Sequence, residues 1–488
     1  MIIDSGRIPP DVTSVCTRLR AAGHQAHLVG GGIRDLLLGR RPADFDVATD
    51  AHPEQVMALF GSRYAIPTGL QHGTVTVVTE VQAGDPDGQL VGDAGGAGPR
   101  RRHVEVTTFR GEGAYVDGRR PSSVTYVGSL EEDLSRRDFT MNAIGFDPLS
   151  GSLTDPFDGR RDLDARLVRA VGDPETRFRE DGLRPMRAIR LATQLEFAID
   201  PATRDAIGRT LEVFRKVSLE RIRDEILKLL AARRPSGGLE LMRATGVLAE
   251  VLPELLEGVG VTQNRFHKHS VYEHTLAVVD ATAGDALTRL GALLHDIGKP
   301  RARQPREGAP GEFSFFKHEI VGAEMTDAIC RRWKLSNLDR ERVVALVLHH
   351  MFFYTPDWTD GTVRRFVRRV GPEALPALFA LREGDVSGRG YDEDPETELG
   401  ELRRRIAAVS AEDSVMRVGD LAIDGRDVMR ILGRGPGREL GILLEGLLER
   451  VLDDPSLNTP ALLEKLLRES EGNLNGAGAR SPPGPIGG

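Results

Sequence analysis

Short apolar runs separated by polar turns fill the first third of the chain. The runs HLV, GTVTVV, HVEVTTF and AIGFD fall between residues 25 and 147 and alternate with helical or turn segments. Such alternation is typical of a mixed α/β domain. From about residue 160 onward the spacing of the apolar positions becomes helical throughout. The pattern predicts an α+β multidomain protein, in which a mixed α/β N-terminal head is followed by all-α regions.

This organisation predicts six segments, because a chain of 488 residues is too long for one core. They are a lead-in helix at 1–24, the head at 25–155, a helical neck and body at 156–264, a histidine-rich helical block at 265–390, a helical tail at 391–469 and a disordered C-terminus at 470–488. The C-terminal segment has too few apolar residues to order itself. A stretch rich in Gly and Asp at 83–102 predicts an enlarged hairpin loop within the head.

The charge balance limits the kinds of partner. A formal net charge of -8 argues against a uniformly basic nucleic-acid coat. Four arginines of TVRRFVRRV fall on one helical face, which suits either RNA contact or a solvated surface helix. No apolar run approaches the roughly 20 residues that span a membrane, and the N-terminal residues carry no export signal, so we expect a cytoplasmic protein. Only Cys16 and Cys330 are present, far apart, which argues against disulfides and thiolate zinc sites.

The stretch PADFDV places two carboxylates close together. On an extended strand Asp44 and Asp46 point the same way, while Phe45 and Val47 point to the opposite, buried side. Upstream, Gly30–Gly32 follow the apolar run HLV and open the helix-like IRDLLLG, which contains Arg34. A glycine turn at a helix start lets backbone N–H groups approach a phosphate. We therefore predict a nucleotide and metal site, in which Asp44 and Asp46 share Mg²⁺ ions and the glycines and Arg34 hold a triphosphate.

The stretch EDGLRPMRAIR suggests how a base could be selected. At i,i+3 spacing Asp181, Arg184 and Arg187 lie along one helical face and offer one acceptor and two rigid donor groups. An Asp and an Arg together can pair with the edge of cytosine or adenine without a nucleic-acid template. An intrahelical salt bridge is the alternative interpretation. Pro185 indicates that the helix starts or kinks at this point.

Several motifs in order resemble the class II nucleotidyltransferases, the family of transfer-RNA CCA-adding enzymes and bacterial poly(A) polymerases. The resemblance covers roughly residues 25 to 265 and rests on VGGGIRDLLLGRRPADFDV, RRDFTMNA at 136–143, the hinge-like DPFDG at 155–159, EDGLRPMRAIR and SLERIRDEILKLL. It implies Asp44 and Asp46 as catalytic Mg²⁺ ligands. It implies nucleotide contacts by Gly31, Arg34, Arg137, Asp138, Asp181, Arg184, Arg187 and Arg190.

Three further residues of the head and neck have weaker assignments. Arg221 and Glu225, in the last of these motifs, are expected to stabilise the neck rather than touch substrate. Glu105, on the strand HVEVTTF, is a candidate for the third carboxylate often found in this superfamily. A charge on an exposed strand face is the simpler interpretation, so Glu105 is left out of the predicted metal ligands.

The histidine-rich block resembles the HD phosphohydrolase superfamily. The matching residues are His274 in YEH, His295 and Asp296 in LLHDIGKP, His318 in FKHE, His349 and His350 in LHHM, and Asp385 in GDVSG. The resemblance implies that His274, His295, Asp296 and Asp385 bind one divalent metal, with His318 and His349 extending the site toward a second. Imidazole and carboxylate ligands suit a transition ion such as Ni²⁺, Mn²⁺ or Fe²⁺. The pattern does not decide which of His349 and His350 faces inward.

A glycine turn precedes a helix in the predicted tail. Gly435, Gly437 and Arg438 could bind transfer-RNA backbone phosphate at that helix start, and a plain turn between helices explains them equally well.

Together these features predict an enzyme that adds CCA to transfer-RNA 3′ ends from CTP and ATP, without a template, by two-metal nucleotidyl transfer. A poly(A) polymerase of the same family is one alternative. An HD phosphohydrolase with an RNA-binding head is another, and HD activity could also accompany nucleotidyl transfer. No membrane contact is expected, and the oligomeric state stays open.

Overall fold

The structure, a computed structural model, describes residues 3–81, 100–111, 115–116, 120–121, 125–263, 268–309, 312–390, 395–411 and 417–477. Nearly all of the loop predicted at 83–102 lies outside these ranges. The chain divides into two compact units. The first extends to Leu256 and includes Arg332–Lys334, and the second comprises Glu257–Arg331 and the residues from Leu335 onward. None of the helices in the described ranges combines the length and the apolarity that a membrane span requires.

The head of the first unit is built on a mixed sheet, as predicted. The strands of the head are β1 (Ala26–Val29), β2 (Asp46–Thr49), β3 (Ala65–Gly69), β4 (Thr74–Glu80), β5 (Arg101–Thr108), β6 (Tyr115–Val116), β7 (Arg120–Pro121), β8 (Gly145–Phe146) and β9 (Leu153–Thr154). The seven-stranded sheet has the order β3-β4-β5-β2-β1-β8-β9, and β6 pairs with β7 separately. Only β2 and β5 run parallel in the large sheet, with Asp46 opposite Glu105.

Helices complete the first unit. They are α1 (Pro10–Ala21), α2 (Gly31–Leu37), α3 (Pro53–Phe60), α4 (Leu130–Ser135), α5 (Gly159–Asp164), α6 (Pro174–Glu180), α7 (Arg184–Leu195), α8 (Pro201–Arg209), α9 (Leu211–Phe214), α10 (Leu219–Leu230), α11 (Pro235–Ala244), α12 (Val247–Val251) and α13 (Pro253–Leu256). A parallel pair, β10 (Leu167–Val168) with β11 (Ala198–Ile199), interrupts the otherwise helical region.

An apolar cluster fixes the strand ends that carry the candidate site. Val29 of β1, Ala48 of β2 and Phe109 are buried together with Leu130 and Leu134 of α4. Val29 directly precedes the glycine turn, and Ala48 lies two residues after Asp46. Burial of these side chains therefore holds the glycine turn and the aspartates in place, at about 1.5–3 kcal/mol for each large apolar group.

The hinge-like motif DPFDG forms the start of α5. The Asp155 carboxylate accepts hydrogen bonds from the backbone N–H groups of Gly159 (2.7 Å) and Arg160 (3.0 Å). A Cβ atom at Gly159 would lie 2.2 Å from the carbonyl oxygen of Thr140, so only glycine fits there. The motif therefore ties the first neck helix closely to the RRDFTMNA segment.

The second unit is helical, as predicted. Its elements are α14 (Val271–Ala281), α15 (Ala286–Leu294), α16 (Lys299–Ala302), the hairpin of β12 (Gln304–Pro305) and β13 (Phe313–Ser314), α17 (His318–Arg332), α18 (Asn337–His349), α19 (Asp360–Val370), α20 (Leu375–Gly388), α21 (Pro395–Ala411), α22 (Gly425–Leu432), α23 (Arg438–Asp453) and α24 (Pro460–Ala477).

The arginine-rich helix α19 contacts α23. Arg365 donates to Glu449 (2.7 Å) and to Asp453 (2.7 and 2.8 Å), and Arg368 donates to Glu449 (2.9 Å). Arg364 is buried and donates to the carbonyl oxygen of Leu452. These three arginines therefore join two helices of the same unit, which neither interpretation of the TVRRFVRRV pattern anticipated.

The C-terminal boundary differs from the prediction. Residues 470–477 continue α24 instead of beginning a disordered tail, and 478–488 lie outside the described residues. The helix is anchored by Leu463 and Leu467, which are buried against α22 and α23. Once such a helix is formed, each added residue gains a backbone hydrogen bond at little cost, so it extends past its last apolar contact. The other segment boundaries stay predictions.

Candidate active sites

The glycine turn of the head lies against the paired aspartates. Gly30 has a φ of 77°, which favours glycine. A Cβ atom there would lie 3.2 Å from Oδ2 of Asp46 and 3.3 Å from a guanidinium nitrogen of Arg137. A Cβ atom at Gly32 would lie 2.8 Å from the backbone oxygen of Asp44. The turn needs glycine because the carboxylate strand passes so close to it, and Gly31 begins α2 at this point.

Three carboxylates face one another at the end of β2. Phe45 is only 6% exposed, while Asp44 on one side of it is exposed and Asp46 on the other is half-buried. Glu105 lies beside Asp46 in the neighbouring strand. Burial, reinforced by the charges of Asp44 and Glu105, raises the pKa of Asp46 to about 7, against the opposing effect of Arg137. A divalent cation would relieve this repulsion, and carboxylate oxygens are the ligands that Mg²⁺ prefers, so the donor set fits such an ion.

A buried aspartate that the sequence analysis missed positions two arginines beside the carboxylates. Asp133 of α4 accepts hydrogen bonds from Arg136 (2.6 Å), Arg137 (3.1 Å) and the backbone N–H of Arg110 (3.1 Å). Burial acts to raise the pKa of Asp133, but the two guanidinium groups outweigh it and lower this pKa. The spacing D-x-x-R-R was the available clue, because i,i+3 and i,i+4 neighbours meet on a helix.

Two predicted nucleotide ligands are held by partners at the same end of the head. Arg34 donates to Asp35 (2.9 Å) and to Asn142 (3.0 Å). Asp138 accepts two hydrogen bonds from Arg187, at 2.7 and 2.9 Å. Burial acts to raise the pKa of Asp138, but Arg187 and Asn142 lower it below its usual range. Asp138 therefore stays ionised and fixes the direction of Arg187.

The predicted base-selecting residues do not share one helix face. Asp181 lies before α7, whose first residue is Arg184 with Pro185 directly after it, so the helix starts there. Asp181 accepts a hydrogen bond from Arg221 (2.9 Å). Arg184 is 8% exposed and donates to Glu180 and to the carbonyl oxygens of Arg177 and Arg136. These bonds use three of the five N–H groups of its guanidinium.

Arg190 is held by other residues of the neck, and its contact with the nucleotide stays a prediction. This guanidinium donates to Glu225, which is 3% exposed, and to Gln194 (2.7 Å), and it does not line the head cavity. Glu225 therefore joins α10 to α7, as expected of a residue that stabilises the neck. Its predicted partner Arg221 instead contacts Asp181.

A cavity of about 330 Å³ brings predicted residues of the head and neck together, although Gly31, Arg34 and Asp44 do not line it. Its lining includes Asp46, Glu105, Thr74, Thr107, Arg110, Arg136, Arg137, Asp138, Asp181, Arg184 and Arg187. The lining combines four carboxylates with five arginines, which suits a nucleoside triphosphate with a divalent cation.

The HD block forms a second, separate cluster in the second unit. Four histidines donate from Nδ1–H to backbone carbonyls: His274 to Gly388 (3.0 Å), His295 to Ala292 (2.8 Å), His318 to Phe315 (2.8 Å) and His350 to Val347 (2.7 Å). A ring that is protonated at Nδ1 and carries no second proton presents an Nε2 lone pair, the form that binds a metal ion.

These four Nε2 atoms converge on two buried carboxylates. Oδ2 of Asp296 lies 3.5 Å from His274 and 3.1 Å from His295, and its Oδ1 lies 3.3 Å from His318 and 3.8 Å from His350. Oδ1 of Asp385 lies 3.1 Å from His274. Nε2 of His295 makes no hydrogen bond of normal geometry with the described residues. Lone pairs that face carboxylates repel them, so the donor chemistry fits divalent cations.

His350 occupies the position predicted for His349. Its Nε2 lies 3.3 Å from Nε2 of His318, and together with Asp296 they form one of two potential metal-binding groups. The other group is His274, His295 and Asp385. Burial and the neighbouring His295 lower the pKa of His350 to about 3, which keeps the ring neutral. His349 is the last residue of α18 and His350 follows it, so successive residues point in different directions and only one can face the cluster.

A cavity of about 540 Å³ opens over this cluster. Its floor contains Asp296, His318, His350 and Asp385, and its walls carry Lys299, Arg306, Arg382 and Arg389 together with five phenylalanines. Lys299 is buried, with Nζ 2.6 Å from Oδ2 of Asp296. Sequence reasoning missed these wall residues, although FSFFKH and HHMFFY place phenylalanines directly beside two cluster histidines.

Comparison with known families agrees with this division into sites. The poly A polymerase head domain matches residues 26–169, the probable RNA- and SrmB-binding site of polymerase A matches residues 196–258, and the HD domain matches residues 271–393. Both enzymatic families imply the use of divalent metal ions. Asp44, Asp46 and Glu105 lie in the first match and the six residues of the histidine cluster lie in the third.

Similar proteins share most of the chain. The CCA-adding enzyme of Geobacillus stearothermophilus is 33% identical over 434 residues, which cover 88% of this chain and 89% of that protein. The crystal structure of the Bacillus stearothermophilus CCA-adding enzyme in complex with CTP has a TM-score of 0.69 at 30% identity and covers 96% of this chain and 98% of that chain. The Thermotoga maritima CCA-adding enzyme complexed with tRNA_CCA shares the fold, with a TM-score of 0.52 at 17% identity over 95% of this chain and 97% of that one. On the identity and coverage of these relatives, this chain belongs to the family of CCA-adding enzymes.

Proposed function

We propose that this chain adds C, C and A, from CTP and ATP, to the 3′ ends of transfer RNA without a template. The observation that carries the proposal is the group of Asp44, Asp46 and Glu105 beside the glycine turn. Two of these carboxylates, Asp46 and Glu105, line a cavity together with five arginines. The relatives are named for CCA addition, and one solved relative holds CTP. The relatives act in transfer-RNA processing, so the expected location stays the cytoplasm.

Different residues of the head would bind the metal ion and the triphosphate. Asp44 and Asp46 would hold Mg²⁺, with Glu105 as the third carboxylate, and the ion would neutralise charge on the α-phosphate and on the leaving pyrophosphate. Arg34 and Arg137, fixed by Asn142 and Asp133, orient the triphosphate. The oxygen of the RNA 3′ hydroxyl bonds to the α-phosphorus. The bond from that phosphorus to pyrophosphate breaks, and the hydroxyl proton leaves to solvent.

Base selection would use Asp181 together with Arg184. Both line the cavity, and the hydrogen bond from Arg221 holds the Asp181 carboxylate in place as an acceptor. Arg184 is fixed by its three acceptors, so its remaining N–H groups have a defined direction. A fixed donor and a fixed acceptor can pair with the exocyclic amino group and ring nitrogen shared by cytosine and adenine.

The test is nucleotide incorporation on transfer RNA that ends at the discriminator base. With CTP alone we expect two additions, and with CTP and ATP together three additions followed by a stop. A long A tail made from ATP alone on any RNA would instead identify a poly(A) polymerase and contradict the proposal.

A second function, metal-dependent phosphohydrolysis, is favoured by the four converging Nε2 atoms of the histidine cluster. His274, His295 and Asp385 would hold one cation, and Asp296, His318 and His350 a second. Ni²⁺, Mn²⁺ or Fe²⁺ suits this donor set, and such an ion acts as a Lewis acid toward a phosphate ester. Lys299 and the arginines of the walls would bind the phosphate oxygens.

The proposed substrate class is a phosphate ester at an RNA end, such as a 2′,3′-cyclic phosphate. Hydrolysis consumes one water, whose oxygen bonds to phosphorus while one ribose oxygen leaves and takes a proton. The test is hydrolysis of adenosine 2′,3′-cyclic phosphate by the full chain with Ni²⁺, Mn²⁺ or Mg²⁺. Absence of metal-dependent hydrolysis in all three would contradict this function and leave CCA addition unaffected.

A further inference from the structure

Three large apolar side chains stand exposed at the HD cavity. Phe316 is 78% exposed, Phe353 is 73% exposed and Met351 is 57% exposed, and all three line the cavity over the histidine cluster. Large apolar residues are seldom left in water side by side unless they serve a binding surface. We call these three residues the apolar rim.

The phenylalanines of the walls fall into two classes. Phe352 is buried and its ring packs at 5.1 Å from that of Phe366, so it belongs to the core. Phe313 is covered by the guanidinium of Arg303, 3.5 Å from its ring centroid. Phe316 and Phe353, by contrast, present most of their surface to solvent. Phe352 and Phe353 are neighbours in a segment without regular secondary structure, and the first is buried while the second is exposed.

The chemistry of the cavity changes from its floor to its mouth. The floor carries the histidine cluster and Lys299, which suit a phosphate group, and the mouth carries the apolar rim. Aromatic side chains bind nucleobases by stacking, at about 1–3 kcal/mol for each base. A volume of about 540 Å³ lies within the range of roughly 300–1,000 Å³ typical of sites for small organic ligands.

We propose that Phe316 and Phe353 form a nucleobase-binding subsite, so that the HD centre selects phosphate esters of nucleosides over simple phosphate esters. This inference rests on the proposed phosphohydrolase function and adds the residues that set its specificity. The phosphate lies over the histidine cluster, and the base stacks on the rim. An apolar protein partner would have no need of cations and metal ligands directly beneath its contact surface.

The experiment compares two cyclic phosphate esters, one with a nucleoside and one that lacks both the base and the ribose ring. The full chain, loaded with Ni²⁺ or Mn²⁺, is assayed with adenosine 2′,3′-cyclic phosphate and with glycerol 1,2-cyclic phosphate. The variants are the double changes F316A/F353A and F316Y/F353Y. L338A serves as the matched control, because Leu338 is 77% exposed in the same unit but does not line the cavity.

We expect F316A/F353A to lower kcat/KM for the adenosine substrate by about tenfold or more, and to leave the glycerol substrate within about twofold. F316Y/F353Y and L338A should keep the parent's ratio of kcat/KM between the adenosine and glycerol substrates. Equal losses on both substrates, no loss on either, or the same change in L338A would overturn the subsite. A parent that hydrolyses only the glycerol substrate would overturn the subsite and leave the hydrolytic function standing. A parent that hydrolyses neither would overturn both.

Discussion

Asp46 and Glu105 lie opposite each other in the parallel pair of strands β2 and β5. In the sequence, helix α3 and strands β3 and β4 lie between these two residues, and the pairing of β2 with β5 brings them together. We therefore predict that Asp44→Ala and Asp46→Ala each abolish incorporation of CTP and ATP while transfer-RNA binding is retained. Glu105→Gln should lower kcat by about tenfold or more, since it weakens the same cation site. Single-turnover incorporation and filter binding would measure both effects.

The control for these changes is Glu131→Gln, an exposed carboxylate on α4 outside the cavity. Its turnover should equal that of the parent. Near-parental turnover of Asp44→Ala or Asp46→Ala in Mg²⁺ would contradict the assignment of the catalytic carboxylates.

The raised pKa of Asp46 predicts a pH effect on stability in the absence of metal. The folded protein keeps this proton up to about pH 7, whereas the unfolded chain releases it near the ordinary value of 3.8. The contribution of Asp46 to stability therefore falls as the pH rises between these values and is constant above them. Asp46→Asn should raise Tm in EDTA, and the gain should be larger at about pH 8 than at about pH 5. An equal gain in Tm at both pH values would contradict the raised pKa of Asp46.

Asp133 is predicted to act through the arginines that it holds. Asp133→Asn keeps the size of the side chain but removes the charge between Arg136 and Arg137. We expect KM for both nucleotides to rise by about tenfold, because a charged hydrogen bond contributes about 1.5–3 kcal/mol, while kcat falls less. Steady-state kinetics at saturating transfer RNA, with Tm measured in parallel, would distinguish weaker nucleotide binding from unfolding. A fall in kcat alone would indicate a different role.

Asp181→Ala should relax the preference for CTP and ATP over UTP and GTP. A lost hydrogen bond to the base edge costs on the order of 1–3 kcal/mol, so discrimination should fall by about tenfold. Competition assays with mixed nucleotides would measure it. Glu212→Ala, which removes an exposed carboxylate outside the cavity, is the control. A variant that rejects UTP and GTP as strictly as the parent would contradict the role of Asp181.

Adjacent histidines offer a matched pair for the second site. His350→Ala should abolish metal-dependent hydrolysis, as should the double change His295→Ala and Asp296→Ala, while His349→Ala should retain it. The reason is that His350 faces Asp296 and His318, and His349 does not belong to either potential metal-binding group. All variants should keep CCA addition. Hydrolysis lost in His349→Ala and kept in His350→Ala would reverse this assignment.

Much of the fold could be predicted because it depends on local spacing. The glycine turn before α2, the alternation of Asp44 and Asp46 about Phe45, and the start of α7 at Arg184 with Pro185 all follow from periodicity and backbone geometry. Contacts between distant segments could not be predicted in the same way. The pairing of Arg190 with Glu225, the contact of Arg365 with α23 and the inward position of His350 depend on how whole helices pack. An arginine can bind either a substrate or a carboxylate, so its position in the sequence does not show which of the two it contacts.

The Nδ1 bonds of the histidine cluster bear on which mutations this site can tolerate. His295, His318 and His350 each donate to the carbonyl three residues earlier, so their ring orientation depends on the main chain of their own turn and not on the identity of the residue there. His274 instead depends on Gly388, where a Cβ atom would lie 2.6 Å from Val278. Substitutions of the residues that precede His295, His318 and His350 should therefore leave these three rings in place. A substitution at Gly388, by contrast, would disturb the ring of His274. Such a change would impair the site although all of its predicted metal ligands are still present.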